Sequence, residues 1–245
     1  MRIDPEKCTA CGCCPDYCPV SCIHPGEVFY VIDEDECVEC GVCLRDAGCP
    51  TEAFFMPEES NRYPRSIRAA FSDPGVQYPE ELFPDLKQGG RGTEEMKTND
   101  VTGNFPRGEF GMTLEFGRPG TGTRLKEVEK VTTLLTSLGI HFEDSNALYF
   151  LLKDPSKGTI KDELLGEKVL SIIVEFSIGE TMLEKIVEEL TAVLKTVDTV
   201  VSWGLVSRFE DDGSLPVIGR IEKLGLKVRP NAKINMGMGR PLIQD

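Results

Sequence analysis

All ten cysteines of this 245-residue chain fall between positions 8 and 49. That crowding limits what the N-terminal part can be. Five lie in "CTACGCCPDYCP" at 8–19 and four in "CVECGVCLRDAGCP" at 37–50. A disulfide framework would staple more of the chain and would suit a secreted protein, yet the opening "MRIDPEKC" has no hydrophobic signal core. Zinc sites usually join two C-x2-C pairs across a longer loop. Here the spacing is Cys8-x2-Cys11-x2-Cys14-x3-Cys18-Pro19, then Cys37-x2-Cys40-x2-Cys43-x5-Cys49-Pro50. Three closely spaced thiolates on a curling loop can take three corners of one iron–sulfur cube, the fourth corner coming from elsewhere in the chain. Thiolates suit that work because they are soft, anionic ligands.

This pattern resembles the bacterial two-cluster ferredoxins, whose run is C-x2-C-x2-C-x3-C-P and whose fourth cysteine ligates the other cluster. The resemblance covers residues 1–57, including the connecting "VFYVIDEDECVEC". It implies two [4Fe–4S] clusters, with an incomplete cube at cluster I as the alternative. Cluster I would take Cys8, Cys11, Cys14 and Cys49, and cluster II would take Cys37, Cys40, Cys43 and Cys18. The chain departs from the family in one place: five residues, "LRDAG", precede Cys49 where three are usual. Gly48 can absorb the added length, because glycine reaches backbone angles closed to other residues. Cys13 and Cys22 are surplus. They read as small apolar residues packed against the clusters, with a sulfur-handling or catalytic thiol as the sharper alternative. A segment this short has a thin core, so metal binding becomes part of its folding free energy.

Charge is spread unevenly. Residues 1–60 carry 3 Lys/Arg and 13 Asp/Glu, a balance of −10, whereas the other 185 residues carry 24 and 28, a balance of −4. Such a field repels nucleic acid and anionic membranes and attracts basic protein patches. No apolar run approaches the ~20 residues of a membrane helix, which leads to the expectation of a soluble, cytoplasmic protein.

Residues 58–108 are rich in proline and glycine and show no regular period, which suggests a wrapping linker anchored by Phe71, Tyr78, Leu82, Phe83 and Leu86. "YPEELFPDL" suggests a turn of helix, and "KQGGRGTEEMK" lacks the pattern of a phosphate loop. Arg62, Arg65 and Arg68 recur every three residues, placed to pair with the acidic segment, to bind an anion, or simply to face solvent.

Periodicity returns at 109–212. "EFGMTLEFG", "ALYFLL", "KVLSIIVEF" and "TVVSWGLVSRF" read as strands. "TRLKEVEKVTTLLTSLG" reads as an amphipathic helix with Leu125, Val128, Val131, Leu134, Leu135 and Leu138 on one face, and "TMLEKIVEELTAVLKTV" as a second. The order is strand–helix–strand twice, an α+β arrangement in which two βαβ units interleave into one ferredoxin-like sandwich. "EFGRPGTGTRLKEVEKVTTLLTSLGIHFED" also resembles an ACT regulatory module, which implies amino-acid binding near the glycine turn; the helix start at Thr121–Arg124 offers N–H groups to an anion. Residues 213–245 read as a tail that docks or lies on the surface. His24 and His141 sit in no metal-ligand spacing, and no nucleophile elbow, dinucleotide fingerprint or Walker motif occurs.

The sequence thus leads to a non-catalytic electron-transfer protein, a dedicated subunit relaying single electrons within a larger, anaerobic oxidoreductase complex. Its partner would be a redox protein with a basic docking surface. The alternatives are a ferredoxin gated by a ligand of its ACT-like domain and a sulfur-handling role for Cys13 or Cys22.

Overall fold

The structure, a computed structural model, describes residues 1–78, 80, 105–142 and 146–229. The cysteine-rich segment is built twice over. Its strands are β1 (Arg2–Ile3), β2 (Ile23–Pro25), β3 (Tyr30–Ile32) and β4 (Phe54–Phe55), with β1 antiparallel to β4 and β2 antiparallel to β3. After each half's first strand an aspartate closes a turn. The Asp4 side chain accepts from the Glu6 N–H and its carbonyl from the Cys8 N–H; Asp33 does the same for Asp35 and Cys37. The Asp4 N–H reaches the Ala53 carbonyl at 2.8 Å, and the Asp33 N–H reaches that of Cys22, also at 2.8 Å. Only the connections differ. Pro15–Tyr17 makes a single 3-10 turn, whereas the longer second connection forms a short helix, α1 (Val42–Asp46). Gly48 follows α1 at φ 59°, as the added length requires. Three of the seven buried residues at the centre of this segment, Cys14, Cys22 and Cys37, are cysteines, so apolar burial alone gives it little stability.

The larger body has a three-stranded antiparallel sheet in the order β10 (Ile172–Gly179), β5 (Glu109–Phe116), β11 (Val201–Val206). Phe110, Met112, Leu114 and Phe116 alternate along β5 and stand opposite Ile178, Phe176, Val174 and Ile172, as period-two patterning requires. This apolar face packs with α3 (Leu125–Ser137) and α4 (Leu183–Leu194) in one core. Leu125, Val128, Val131 and Leu135 of α3 are fully buried, and the helix stops where Gly139 takes φ 81° and the Ile140 N–H returns to the Leu135 carbonyl.

Three stretches differ from the sequence reading. "ALYFLL" is not a strand of the sheet: Ala147–Leu151 forms a 3-10 helix started by the Asn146 side chain, which accepts from the Leu148 N–H. Asn146 offers its neighbour a local partner that competes with a sheet ladder. Leu152–Asp154 then forms β7, paired with β8 (Thr159–Ile160). "KVLSIIVEF" splits into β9 (Lys168–Val169), which pairs with β6 (Thr123–Arg124), and β10; the intervening Leu170 N–H leaves the ladder for the Ser72 hydroxyl at 2.8 Å. Within 213–229 the chain forms α5 (Pro216–Lys223), with Val217 buried in the core and Arg220 bonded to Glu184 at 2.7 and 2.8 Å. Of the linker anchors, Phe71 and Tyr78 are buried, their tilted rings 5.2 Å apart between centroids. Leu82, Phe83, Leu86, "KQGGRGTEEMK", most of "YPEELFPDL" and positions 230–245 lie outside the described residues.

Cations of α2 (Ser66–Ala70) and its approach, and of the larger body, grip the acidic loop before Cys37. The Arg68 guanidinium is buried; it donates to the carbonyls of Glu34, Asp35 and Cys37 at 2.8–3.2 Å and to Glu167 at 2.5 Å. Arg65 bonds buried Glu39 at 2.6 Å, Arg124 bonds Glu36 at 2.7 Å, and Lys168 bonds the other oxygen of Glu36. Among the described residues Arg62 is ion-paired with exposed Glu58. Two of the three periodic arginines therefore pair with the acidic segment.

Removing one partner of a buried pair leaves the other without compensation. Arg68→Met is expected to cost about 3–5 kcal/mol in urea unfolding. Arg2 holds the Glu34 carboxyl, and Lys168 the Glu36 carboxyl, below the usual range. A depressed folded pKa stabilises above the unfolded value, roughly 4.3 for glutamate, and that stabilisation is lost as pH falls through the folded value. The urea midpoint should therefore drop as pH falls from about 4.3 through the folded value, and Glu36→Gln should make the drop shallower.

Candidate metal centres

Each ligand loop carries the same backbone signature. In the first, Ala10 has φ 53° and Gly12 φ 79°; in the second, Glu39 has φ 56° and Gly41 φ 69°. Ser21 (φ 53°) and Glu52 (φ 51°) repeat the match three residues beyond Cys18 and Cys49. Non-glycine residues seldom hold a positive φ, and the strain gathers at functional sites. Reversing the chain after each cysteine turns successive thiols toward one side.

Two recesses result. One is lined by Cys8, Cys11, Cys14 and Cys49 and also by Cys13, with Ile3, Tyr30, Ala53 and Phe54 as apolar walls. The other is lined by Cys18, Cys37, Cys40 and Cys43 and also by Cys22, with Met1, Val20, Ile23, Ile32 and Val38 around them. They are matched in empty volume, about 300 and about 310 Å³ with the space open to solvent included. Cys13 and Cys22 aside, each combines three thiols from its own loop with one from the other half. Among the described residues no three His, Cys, Asp or Glu side chains converge on a single-ion position; the thiols ring a volume.

Backbone N–H groups point at sulfur in both halves. The Cys22 N–H lies 3.3 Å from Cys18 Sγ and the Ala53 N–H 3.4 Å from Cys49 Sγ. A hydrogen bond to a thiolate favours its charged form. For Cys49 burial acts upward, but the N–H groups of Ala53 and Thr51 prevail and the thiol is lowered. The Cys22 thiol lies 3.5 Å from Cys18 Sγ. Its hydrogen bonds hold Cys18 and Cys37 down to about 6, and Cys22 itself is raised, first by Cys18 and then by Cys37. Cys11 is lowered by the Cys13 N–H and thiol, and Cys13 is raised by Cys11, their sulfurs 3.2 Å apart. Burial pushes Cys14 up to about 11, Cys43 to about 12, and Cys40 upward. Some of these thiols are anionic near neutrality and others give up a proton on binding metal.

Cys13 and Cys22 stand where the other half has Val42 and Ala53, which fits small packing residues. The duplication extends beyond the cysteines. Its sequence signal, "MRIDPEKC" against "YVIDEDEC", is weak because only the Ile-Asp pair and the cysteine coincide.

At the start of α3 four N–H groups already have backbone partners. The Leu125 N–H donates to the Glu167 carbonyl and the Lys126 N–H to the Leu165 carbonyl, while the Thr121 and Gly122 N–H groups close on the Gly117 carbonyl. His24 and His141 are exposed.

A protein named Ferredoxin 7Fe from Hydrogenibacillus schlegelii is 45% identical over 62 residues, which are 24% of this chain and 77% of that protein. A ferredoxin of Rickettsia felis is 46% identical over 50 residues, 20% of this chain and 44% of that protein. Ferredoxin-1 of Rhodobacter capsulatus is 52% identical over 40 residues, 16% of this chain and 62% of that protein. The chain thus spans less than two thirds of the latter two. No family model and no solved structure matches. With two recesses ringed by thiols and most of the first relative spanned at this identity, the chain belongs to the ferredoxins through its N-terminal segment, an iron–sulfur, electron-transfer one.

Proposed function

We propose that this protein relays single electrons through two [4Fe–4S] clusters, one held by Cys8, Cys11, Cys14 and Cys49 and the other by Cys37, Cys40, Cys43 and Cys18. The observation that carries the reading is the crossed composition of the two recesses, each with three thiols of one loop and the fourth from the other half. Matched positive-φ turns and matched N–H···S contacts support two equivalent sites. The name Ferredoxin 7Fe belongs to a relative; seven irons are one fewer than two cubes hold, and here both recesses have a full set of four thiols besides Cys13 and Cys22. When bound, each cube accepts and returns one electron. The chain fixes the sulfurs, offers them N–H donors and excludes water from one side, which are the means by which a protein sets potential.

The remaining three quarters of the chain give the reading its second part. We take 1–57 as the cluster domain, 58–108 as a wrapping linker, 109–212 as a split βαβ domain and 213–245 as a docking tail. The sheet order β10-β5-β11 agrees with strands three, one and four of a ferredoxin-like sandwich, with the 3-10 helix at Ala147–Leu151 where the remaining strand would be. Such a body suits a dedicated subunit of an anaerobic oxidoreductase complex in the cytoplasm. Among the described residues no helix is long and apolar enough to cross a membrane. No observation favours the ligand-gated alternative, whose N–H groups at the glycine turn are already taken.

Anaerobic reconstitution should give about eight irons and eight labile sulfides per chain, with EPR signals of two reduced cubes. Zinc, or no iron, would overturn the reading. Cys49→Ala should retain about four to seven irons and perturb one signal only, because it removes a ligand from one recess.

A further inference from the structure

The two halves match in backbone but not in exposure. The loop Cys37–Gly41 is buried at every position, whereas in the equivalent loop Thr9, Ala10 and Cys11 are exposed. The difference comes from what lies over each. The loop of the second recess is covered by α1, α2 and the larger body. Arg45 donates to the Cys40 carbonyl at 2.8 Å and to Asp73 at 2.5 Å, and Arg68 donates to the Cys37 carbonyl at 2.9 Å. The glycine turn before α3 lies against Pro19 and Val20: a Cβ at Gly120 would come within 3.1 Å of the Pro19 carbonyl oxygen, and one at Gly122 within 3.3 Å of Val20 Cγ1. Among the described residues, no side chain donates to the equivalent carbonyls of Cys8 and Cys11.

We infer that the Cys8/Cys11/Cys14/Cys49 recess is the port through which the protein exchanges electrons with a redox partner presenting a basic face, and that the other recess is an inner centre reached through the first. This rests on the reading of both recesses as cluster sites. Electron transfer between proteins falls steeply with distance, so the centre with an exposed ligand loop outcompetes one under a packed cover. The partner's charge follows from the port's surroundings. Glu6, two residues before Cys8, and Glu52, beside Thr51 of the recess wall, are exposed and carry no ion pair among the described residues. Around the covered recess the carboxylates of Glu34, Glu36 and Glu39 are already engaged by Arg2, Arg65, Arg124 and Lys168. A cationic face meets Glu6 and Glu52 at the port, with Lys7 beside Cys8 the one exposed cation there among the described residues, and this steering is screened by salt.

The test measures, by stopped flow, the second-order rate at which the reduced, full-length holoprotein reduces cytochrome c, used as a cationic acceptor. The variants are Glu6→Gln/Glu52→Gln at the port and Glu188→Gln/Glu189→Gln on the exposed side of α4. Each is first checked for the iron content of the unmodified protein; an unmodified protein short of two clusters would overturn the underlying reading rather than the choice of port. At low ionic strength the port variant should be slowed about threefold to tenfold while the α4 variant stays within about twofold. In high salt all three should converge. Equal slowing of both variants, or no slowing of the port variant, would overturn the inference.

Discussion

The contacts of the Arg68 guanidinium hold the two parts of this chain together at the cluster site. One buried side chain satisfies three carbonyls of the loop that delivers Cys37 and carries its charge to Glu167, 99 residues away. Arginine suits this work because its planar fork presents several fixed donors and never gives up its proton. A buried charge is tolerated only where it is paired and hydrogen-bonded, and here both conditions depend on the cluster loop and the larger body being docked. The apolar core of the cysteine-rich segment is thin, so this polar seam and the metal share its stabilisation.

Around that seam, the electrostatics of the molecule are partly internal. The excess of acid in the first 60 residues looks, in the sequence, like a surface meant for partners. In the fold, part of it faces inward. Glu36 receives Arg124 and Lys168, and Glu39 receives Arg65, Ser60 and the N-terminal amine. The larger body thus acts as a resident basic partner for Glu36, while Arg65 takes that part for Glu39.

The cysteine spacing made the iron–sulfur character legible, because ligand chemistry imposes short, fixed intervals that survive any change of surroundings. The helix at 125–137 was legible for a similar reason: its apolar stripe and closing glycine are local signals. What escaped was decided by tertiary context. "ALYFLL" has the apolar density of a strand, but Asn146 gives it a local cap and it packs as a 3-10 helix. The helix at 216–223 rests on Val217, Ile221 and Leu224 reaching a core that the tail itself does not reveal. The roles of Arg65 and Arg68 could be named as possibilities only, since a three-residue period says nothing about what stands opposite. The duplication of the cluster segment is visible in its turns and hydrogen bonds far more than in its residues, because the backbone geometry is kept by φ angles that Ala10 and Glu39 share without sharing chemistry.

The cover over the inner recess also has a bearing on biogenesis. The residues that cover its loop are spread along the chain: Arg45 from the segment itself, Arg68 from α2, the glycine turn from the middle and Glu167 from well beyond it. During synthesis the cysteines emerge long before the lid that will lie over half of them. Those cysteines are therefore most accessible to inorganic atoms while the nascent polypeptide is still incomplete, before this seam has formed over their loop.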